Sequence, residues 1–313
     1  MLEIRILMAA AWLGVQLPGV SPEPAVWRSD QQFEGQGESA VLLASSSQPS
    51  RSPGLRSPTK LSASAILQRS EKNRSPEGNY AVDFTITVRD DRIAAPVRTV
   101  SFAMLVHGRE QAIVLMLAPQ PFYGGSLLIA FGEYWLLLPR ADRPLQLSRD
   151  QVLRGDVANG DLARSNLAEE YRPHLEGEES IEGEPCFRLE LIRARSTARY
   201  SRILCWVSTR EQQTRKLEFY GLTGSLLSTA RYRNYRKTSV GVLPVSIEIS
   251  SGVDPHQKST IAFSDARAID LSKIAFTPAG LEAFKTAALR LAGAGEAPPR
   301  LEAILARLVG DDR

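Results

Sequence analysis

Between Asn79 and Val88 the sequence NYAVDFTITV alternates without a break: Tyr80, Val82, Phe84, Ile86 and Val88 against Asn79, Ala81, Asp83, Thr85 and Thr87. A period of two puts the five large side chains on one side of an extended chain, so the segment predicts a strand with one buried face. Val100, Phe102, Met104 and Val106 repeat the pattern, and His107-Gly108-Arg109-Glu110 turns it. Ala112 to Leu117 is a return strand, stopped by Pro119 and Pro121. Leu127 to Phe131 and Tyr134 to Leu138 follow, broken by Gly132-Glu133.

The same signals continue downstream. Phe187 to Arg193 and Tyr200 to Val207 are joined by a turn near Arg195 to Ala198, and Thr214 to Tyr220 and Leu226 to Tyr235 by Gly221 to Gly224. Pro244 to Ile249 and Ser259 to Phe263 close the series. Strands at short, regular spacing with few helices indicate a mainly β fold built on one antiparallel sheet, curved or partly closed.

Helical signals are local. Ser62 to Lys72 predicts a helix with Ile66 and Leu67 facing in, stopped by Pro76 and Gly78. A polar turn containing Gly155-Asp156 and Asn159-Gly160-Asp161 opens a second helix, Asp161 to Tyr171. Its Ala163, Leu167 and Tyr171 form one stripe, expected to lie over the mouth of the sheet. Pro278 to Leu291 and Pro299 to Leu308 carry the helical period in a C-terminal extension.

The N-terminal end reads as processing rather than fold. Arg5 precedes an apolar run, Ile6 to Val15, that Leu17-Pro18-Gly19 breaks. A run of about ten apolar residues suits a signal peptide and is too short to span a bilayer, which predicts export. No cysteine follows the run for lipid attachment, so a soluble mature protein is expected. The Ser- and Pro-rich stretch up to about Lys60, as in SSSQPSRSPGLRSP, reads as a disordered linker.

Catalytic motifs are hard to find. The three histidines, His107, His174 and His256, are scattered over turns and read as surface-loop residues with no H-E-x-x-H, and neither a G-x-S-x-G elbow nor a P-loop is present. The acidic run Glu176, Glu178, Glu179, Glu182 and Glu184 lacks calcium-loop spacing and reads as a solvated hairpin tip. Arg231 to Lys237 interleaves base and aromatic, which suits a strand with two faces better than a nucleic-acid platform. A net charge of +3 adds no case for nucleic acid. Cys186 and Cys205 fall roughly opposite each other on paired strands, so a disulfide and two buried free thiols both stay open. Neither a metal, a cofactor nor an enzymatic activity is expected.

What remains is an aromatic-aliphatic face. Phe84, Phe102, Met104, Leu115, Leu117, Trp135, Leu137, Trp206 and Phe219, with Leu167 and Tyr171 from the cover helix, are its candidate ligand-binding residues. Such side chains either fill a core or line a cavity for an apolar ligand.

Several stretches resemble a known family: ILQRSEKNRSP with YAVDFTITV, LAPQPFYGGSLLIAFGEYWLLLP, GDVANGDLARSNLAEEY, PCFRLELIRA with YSRILCWVS, and KLEFYGLTGSLLSTARYRNY. In this order, over roughly Leu61 to Phe276, they resemble the periplasmic carriers that sort lipoproteins to the bacterial outer membrane. The resemblance implies an unclosed antiparallel β-barrel, a half-barrel, with helices over its concave face and acyl chains bound between. The chain then divides into a signal peptide over 1–20, a linker over 21–60, a carrier-like β domain over 61–276 and a helical extension over 277–313, of which the linker and the extension depart from the simplest carrier pattern. The implied function is a periplasmic carrier of lipids or lipoproteins, with inner- or outer-membrane transport proteins as partners. The alternative is an envelope-stress sensor or adaptor that binds a protein.

Overall fold

The alternating segments become strands of a single large antiparallel sheet. The structure, a computed structural model, describes residues 61–310 apart from 74–77, 95–97, 109, 121–122, 148–166, 196–197, 199, 265 and 294–299. The strands are β1 (Tyr80–Asp90), β2 (Arg98–His107), β3 (Gln111–Ala118), β4 (Ser126–Ala130), β5 (Glu133–Leu137), β6 (Leu145–Leu147) and β7 (Tyr171–Ile181). Then come β8 (Glu184–Arg193), β9 (Arg202–Ser208), β10 (Thr214–Tyr220), β11 (Leu226–Thr238), β12 (Gly241–Ser251), β13 (Gln257–Phe263) and β14 (Arg267–Ala268). Among the described residues four helices accompany them: α1 (Ala63–Lys72), α2 (Leu167–Glu170), α3 (Pro278–Gly293) and α4 (Leu301–Gly310). Residues from Ser62 onward fall in one compact unit.

The sheet consists of two meanders that meet at β1. Strands β1 to β6 step away from it on one side, and β13 back to β7 step away on the other. Strand β14 pairs with the start of β1 beyond β13. The sheet is not closed into a barrel, and β6 and β7 are its two ends. Its hairpins owe their tightness to local chemistry. Phe131-Gly132 and Glu182-Gly183 both have φ above zero, at 49° and 82° and at 53° and 86°. Two such residues in succession match the right-handed twist of the flanking strands.

Register assigns every side chain to one of two faces. Val82 opposes Met104 and Phe84 opposes Phe102, so these share the inner face. Ala81, opposite Leu105, and Asp83, opposite Ala103, point to the outer one. Inner-face side chains are buried from β5 across to β8. A face this wide, with no second sheet against it among the described residues, is buried by curling around itself and by helices laid into it.

α1 is one of these helices. Ser62 caps it by accepting a hydrogen bond from the Ala65 N–H at 3.2 Å, and Ile66, Leu67 and Ser70 make its buried stripe. It packs against β7, β9 and α2. Its buried side chains join neither outer-face cluster, which puts it on the inner side. Asn73 ends it and ties it to the β9–β10 turn, donating to the carbonyls of Glu211 and Gln212 at 3.3 and 3.1 Å.

α3 and α4 cover the outer face of β1 to β5. Leu281 and Phe284 of α3 and Leu301 and Ile304 of α4 meet Ala81, Ala103, Leu105, Ile113 and Leu128. The small residues at Ala81 and Ala103 let the helices approach the sheet.

Three expectations change. Tyr171 does not end a helix: its backbone pairs with Arg193, and it opens β7. Leu167 lies in the four-residue α2, while Ala163 and most of the expected helix lie outside the described residues. The acidic run is strand for most of its length, with only Glu182-Gly183 at the tip, and His174 lies within β7. β7 carries little apolar pattern because it is an edge strand, where charge and a proline (Pro173) are tolerated.

Candidate ligand-binding face

Aromatic packing organises the middle of the inner face. Phe84 and Phe102 stack with ring centroids 4.9 Å apart and planes 10° apart, and Phe263 tilts against Phe84 at 6.3 Å. Beyond them run Ile86, Ile261, Ile247 and Tyr232, neighbours in successive strands. Toward β10 and β9, Phe219 meets Tyr200 at 4.7 Å, and the Tyr171 hydroxyl accepts a hydrogen bond from the Tyr200 N–H at 3.2 Å. Tyr171 is thus fixed by its polar tip while its ring stays buried.

The eleven candidate residues divide between faces. Phe84, Phe102, Met104 and Phe219 lie on the inner face, and Leu167 and Tyr171 are buried at its β7 end. Leu115, Leu117, Trp135 and Leu137 lie on the outer face, against the α3–α4 layer. Trp206 is also on the outer face, in a separate small cluster with Cys186 and Leu204. The physical reason is that β3, β4, β5 and β9 are covered on both sides. Their sequences are continuous apolar runs, so period-two parity does not show which members face in. The inner positions of these strands are Val114, Leu127, Leu136 and Cys205 instead. No pattern within those strands marks them; only pairing to β2 and β10 does. Ile86 and Val100, by contrast, share the parity of Phe84 and Phe102 and were legible from the alternation.

The two cysteines follow the same rule. Cys205 opposes Leu189 on the inner face, whereas Cys186 sits among the outer-face side chains, so the thiols point apart and form no disulfide with each other. Burial pushes the Cys186 thiol up to about 11.

The outer face of β8 to β12 is a lattice of charge and aromatic rings. The Arg215 guanidinium holds both oxygens of Glu184, at 2.6 and 2.9 Å, and also Glu211 at 2.6 Å. That fork holds the Glu184 carboxyl below the ordinary carboxylate range. Trp206 donates from Nε1 to Glu179 at 2.9 Å, and the Lys216 ammonium lies 4.3 Å over its ring. Arg233 pairs with Glu182 and Glu248. Beside them a cleft of about 370 Å³ is lined by Glu182, Glu211, Arg215, Arg231, Asn234 and Tyr235, among others. In β11, Tyr232 is buried inward and Arg231 and Arg233 lie on the other face, as a two-faced strand requires. Among the described residues no group of three or more His, Cys, Asp or Glu is placed to hold a metal ion. No described helix is long and apolar enough to cross a membrane.

Comparison with known proteins settles the family. A crystal structure of a LolA superfamily protein from Nitrosomonas europaea shares 31% sequence identity at a TM-score of 0.58, the match covering 69% of this chain and 98% of that one. The chain belongs to the LolA superfamily. Two more distant structures share the fold of this LolA superfamily member. A DUF1329 family protein from Desulfovibrio piger is 17% identical, with a TM-score of 0.61 over 70% of this chain and 97% of its own. A putative outer membrane lipoprotein-sorting protein domain from Vibrio parahaemolyticus is 18% identical, with a TM-score of 0.56 over 70% and 98%. A family model described only as an uncharacterized protein matches residues 108–283, and no curated protein matches in sequence. The LolA assignment agrees with the resemblance carried by the strand motifs.

Proposed function

We propose that this LolA superfamily chain is a periplasmic carrier that holds the acyl chains of lipids or lipoproteins against its inner face and moves them toward the outer membrane. The observation that supports this most is the inner face itself. It is a wide aromatic-aliphatic surface covered by short helices in place of a second sheet, and short helices can shift where a packed sheet cannot. Each methylene moved from water onto such a surface contributes ~0.8 kcal/mol. A chain of about a dozen methylenes therefore exceeds association costs of several kcal/mol without a charged anchor. Export of the chain, on the Arg5 and Ile6 to Val15 pattern, belongs to the same proposal.

Native mass spectrometry of the protein purified from its own cell envelope tests the reading. Acyl species should co-purify, and Ala230→Phe, which adds bulk at a fully buried inner position, should lose them while remaining folded. Protein free of acyl species that also takes up no fluorescent fatty acid at saturation would sink the carrier. A second reading, an adaptor for a protein partner, is favoured by the charged cleft beside Arg215, Arg231 and Tyr235. It predicts a co-purified protein in the same experiment.

A further inference from the structure

The inner face is not uniformly apolar. At one end of β11, β12 and β13 three serines point inward: Ser228, Ser251 and Ser259, at 3%, 7% and 1% exposure. Ser228 stands directly opposite Ser251. Ser251 lies two residues past Ile249, the partner of Ser259, so Ser251 and Ser259 are diagonal neighbours. Directly opposed side chains are about 4.5–5.5 Å apart and diagonal ones about 7–8 Å, which makes the three hydroxyls one patch.

Their hydrogen bonding is incomplete. Ser251 Oγ accepts from the Val253 and Asp254 N–H groups at 3.1 and 3.0 Å, which fixes it and leaves its own hydrogen to donate. Ser228 Oγ and Ser259 Oγ are buried and have no partner. A buried hydroxyl without a partner is costly, and natural interiors pair such groups. The backbone cannot relax around them. A Cβ at Gly252 would lie 2.1 Å from the Leu226 carbonyl oxygen, so the ends of β11 and β12 are held at closest approach. The neighbours on this face are apolar: Val88 opposes Ser259, Phe219 opposes Ser228, and Ala230 and Ile249 lie between. A charged guest would find no counter-ion among them. A neutral acceptor attached to hydrocarbon fits both parts of the surface.

We propose that Ser228, Ser251 and Ser259 form a polar subsite that donates hydrogen bonds to the ester carbonyl of a fatty-acyl lipid whose chain lies along the inner face. The proposal rests on the carrier reading and adds the linkage chemistry that the carrier selects. Acyl esters reach such a site either on glycerophospholipids or on the diacylglyceryl group of a lipoprotein.

The test compares ester with ether. Affinities of the full, delipidated chain are measured by displacement of a fluorescent fatty acid, with dipalmitoyl phosphatidylglycerol and its dialkyl ether analogue in one arm. A diacylglyceryl-cysteine lipopeptide and its dialkyl analogue form the other arm. The parent should prefer the ester by about tenfold, equivalent to ~1.4 kcal/mol, in at least one arm, and that arm identifies the source. Ser228→Ala with Ser259→Ala, which leaves Ser251 as the one donor, should remove most of the preference while ether affinity stays within about twofold. Each single variant should lose part of it, which keeps the comparison available if the double variant does not fold. Equal binding of ester and ether by the parent, or a preference that survives both alanines undiminished, overturns the subsite and shows that the serines hold water alone. Failure of every lipid to bind the parent removes the carrier reading, and the subsite with it.

Discussion

At the scale of single residues, the outer face gives a charge whose contribution depends on pH. Glu184 is held low chiefly by hydrogen bonds from Arg215, whose guanidinium also engages Glu211. A carboxyl whose folded pKa lies below its unfolded value adds stability that is complete above the unfolded value and is lost as pH falls through the folded one. Glu184→Gln should therefore lower unfolding free energy by about 0.5–1 kcal/mol at pH 7, the worth of a partly exposed, solvent-screened ion pair. The gap from the parent should narrow as pH drops below the usual carboxylate range, about 4. Urea titrations at pH 7 and pH 3 measure both gaps; an equal loss at the two would assign the effect to packing instead of charge. The same register decides the cysteines, since it sets Cys186 opposite Ser208, three residues from Cys205 and on the other face of the sheet.

At the scale of elements, the C-terminal helices are part of the folded unit and not an appendage. Phe284 of α3 is fully buried against the outer face of β1 to β5. Removing its ring leaves a cavity beneath a helix that the sheet cannot collapse to fill. Phe284→Ala should cost about 3–5 kcal/mol by chemical denaturation and leave acyl binding at the inner face unchanged. A matching loss of ligand affinity would mean that the two faces are coupled through the sheet. β1 and β2 were legible from alternation to within two residues at each end, because most of their outer positions, such as Ala81, Asp83, Ser101 and Ala103, are small or polar. The helix over Ala63–Lys72 was equally legible, because Ile66 and Leu67 make an apolar stripe against charged neighbours. β6, β7 and β14 were not. β6 and β14 are three and two residues long, and β7 is an edge strand whose charged residues carry no apolar period.

For the whole molecule, the question is which surface a ligand meets. Trp135 and Trp206 belong to the outer face, one near α3 and α4 and the other in the charged lattice. Trp135→Phe and Trp206→Phe should each leave acyl-ligand affinity within about twofold of the parent in a displacement titration. A loss of more than tenfold from either would place ligand on the outer side and end the inner-face assignment.

The sequence by itself determined the fold class, most strand positions, α1 and the C-terminal helices, because these rest on periodicity and on local turn and stop signals. It also marked Phe84, Phe102, Met104 and Phe219 as members of one face, since strict alternation leaves only one choice of parity. Only the tertiary structure decided the rest. Where both sides of a strand are covered, as in β3, β5 and β9, the middle of the strand is a continuous apolar run and the sequence carries no parity. The assignment of Leu115, Leu117, Trp135, Leu137 and Trp206 to the outer face came from hydrogen-bond register with neighbouring strands. The serine patch depended on that register too. Its three members come from three strands, and pairing across β11, β12 and β13 is what makes them neighbours.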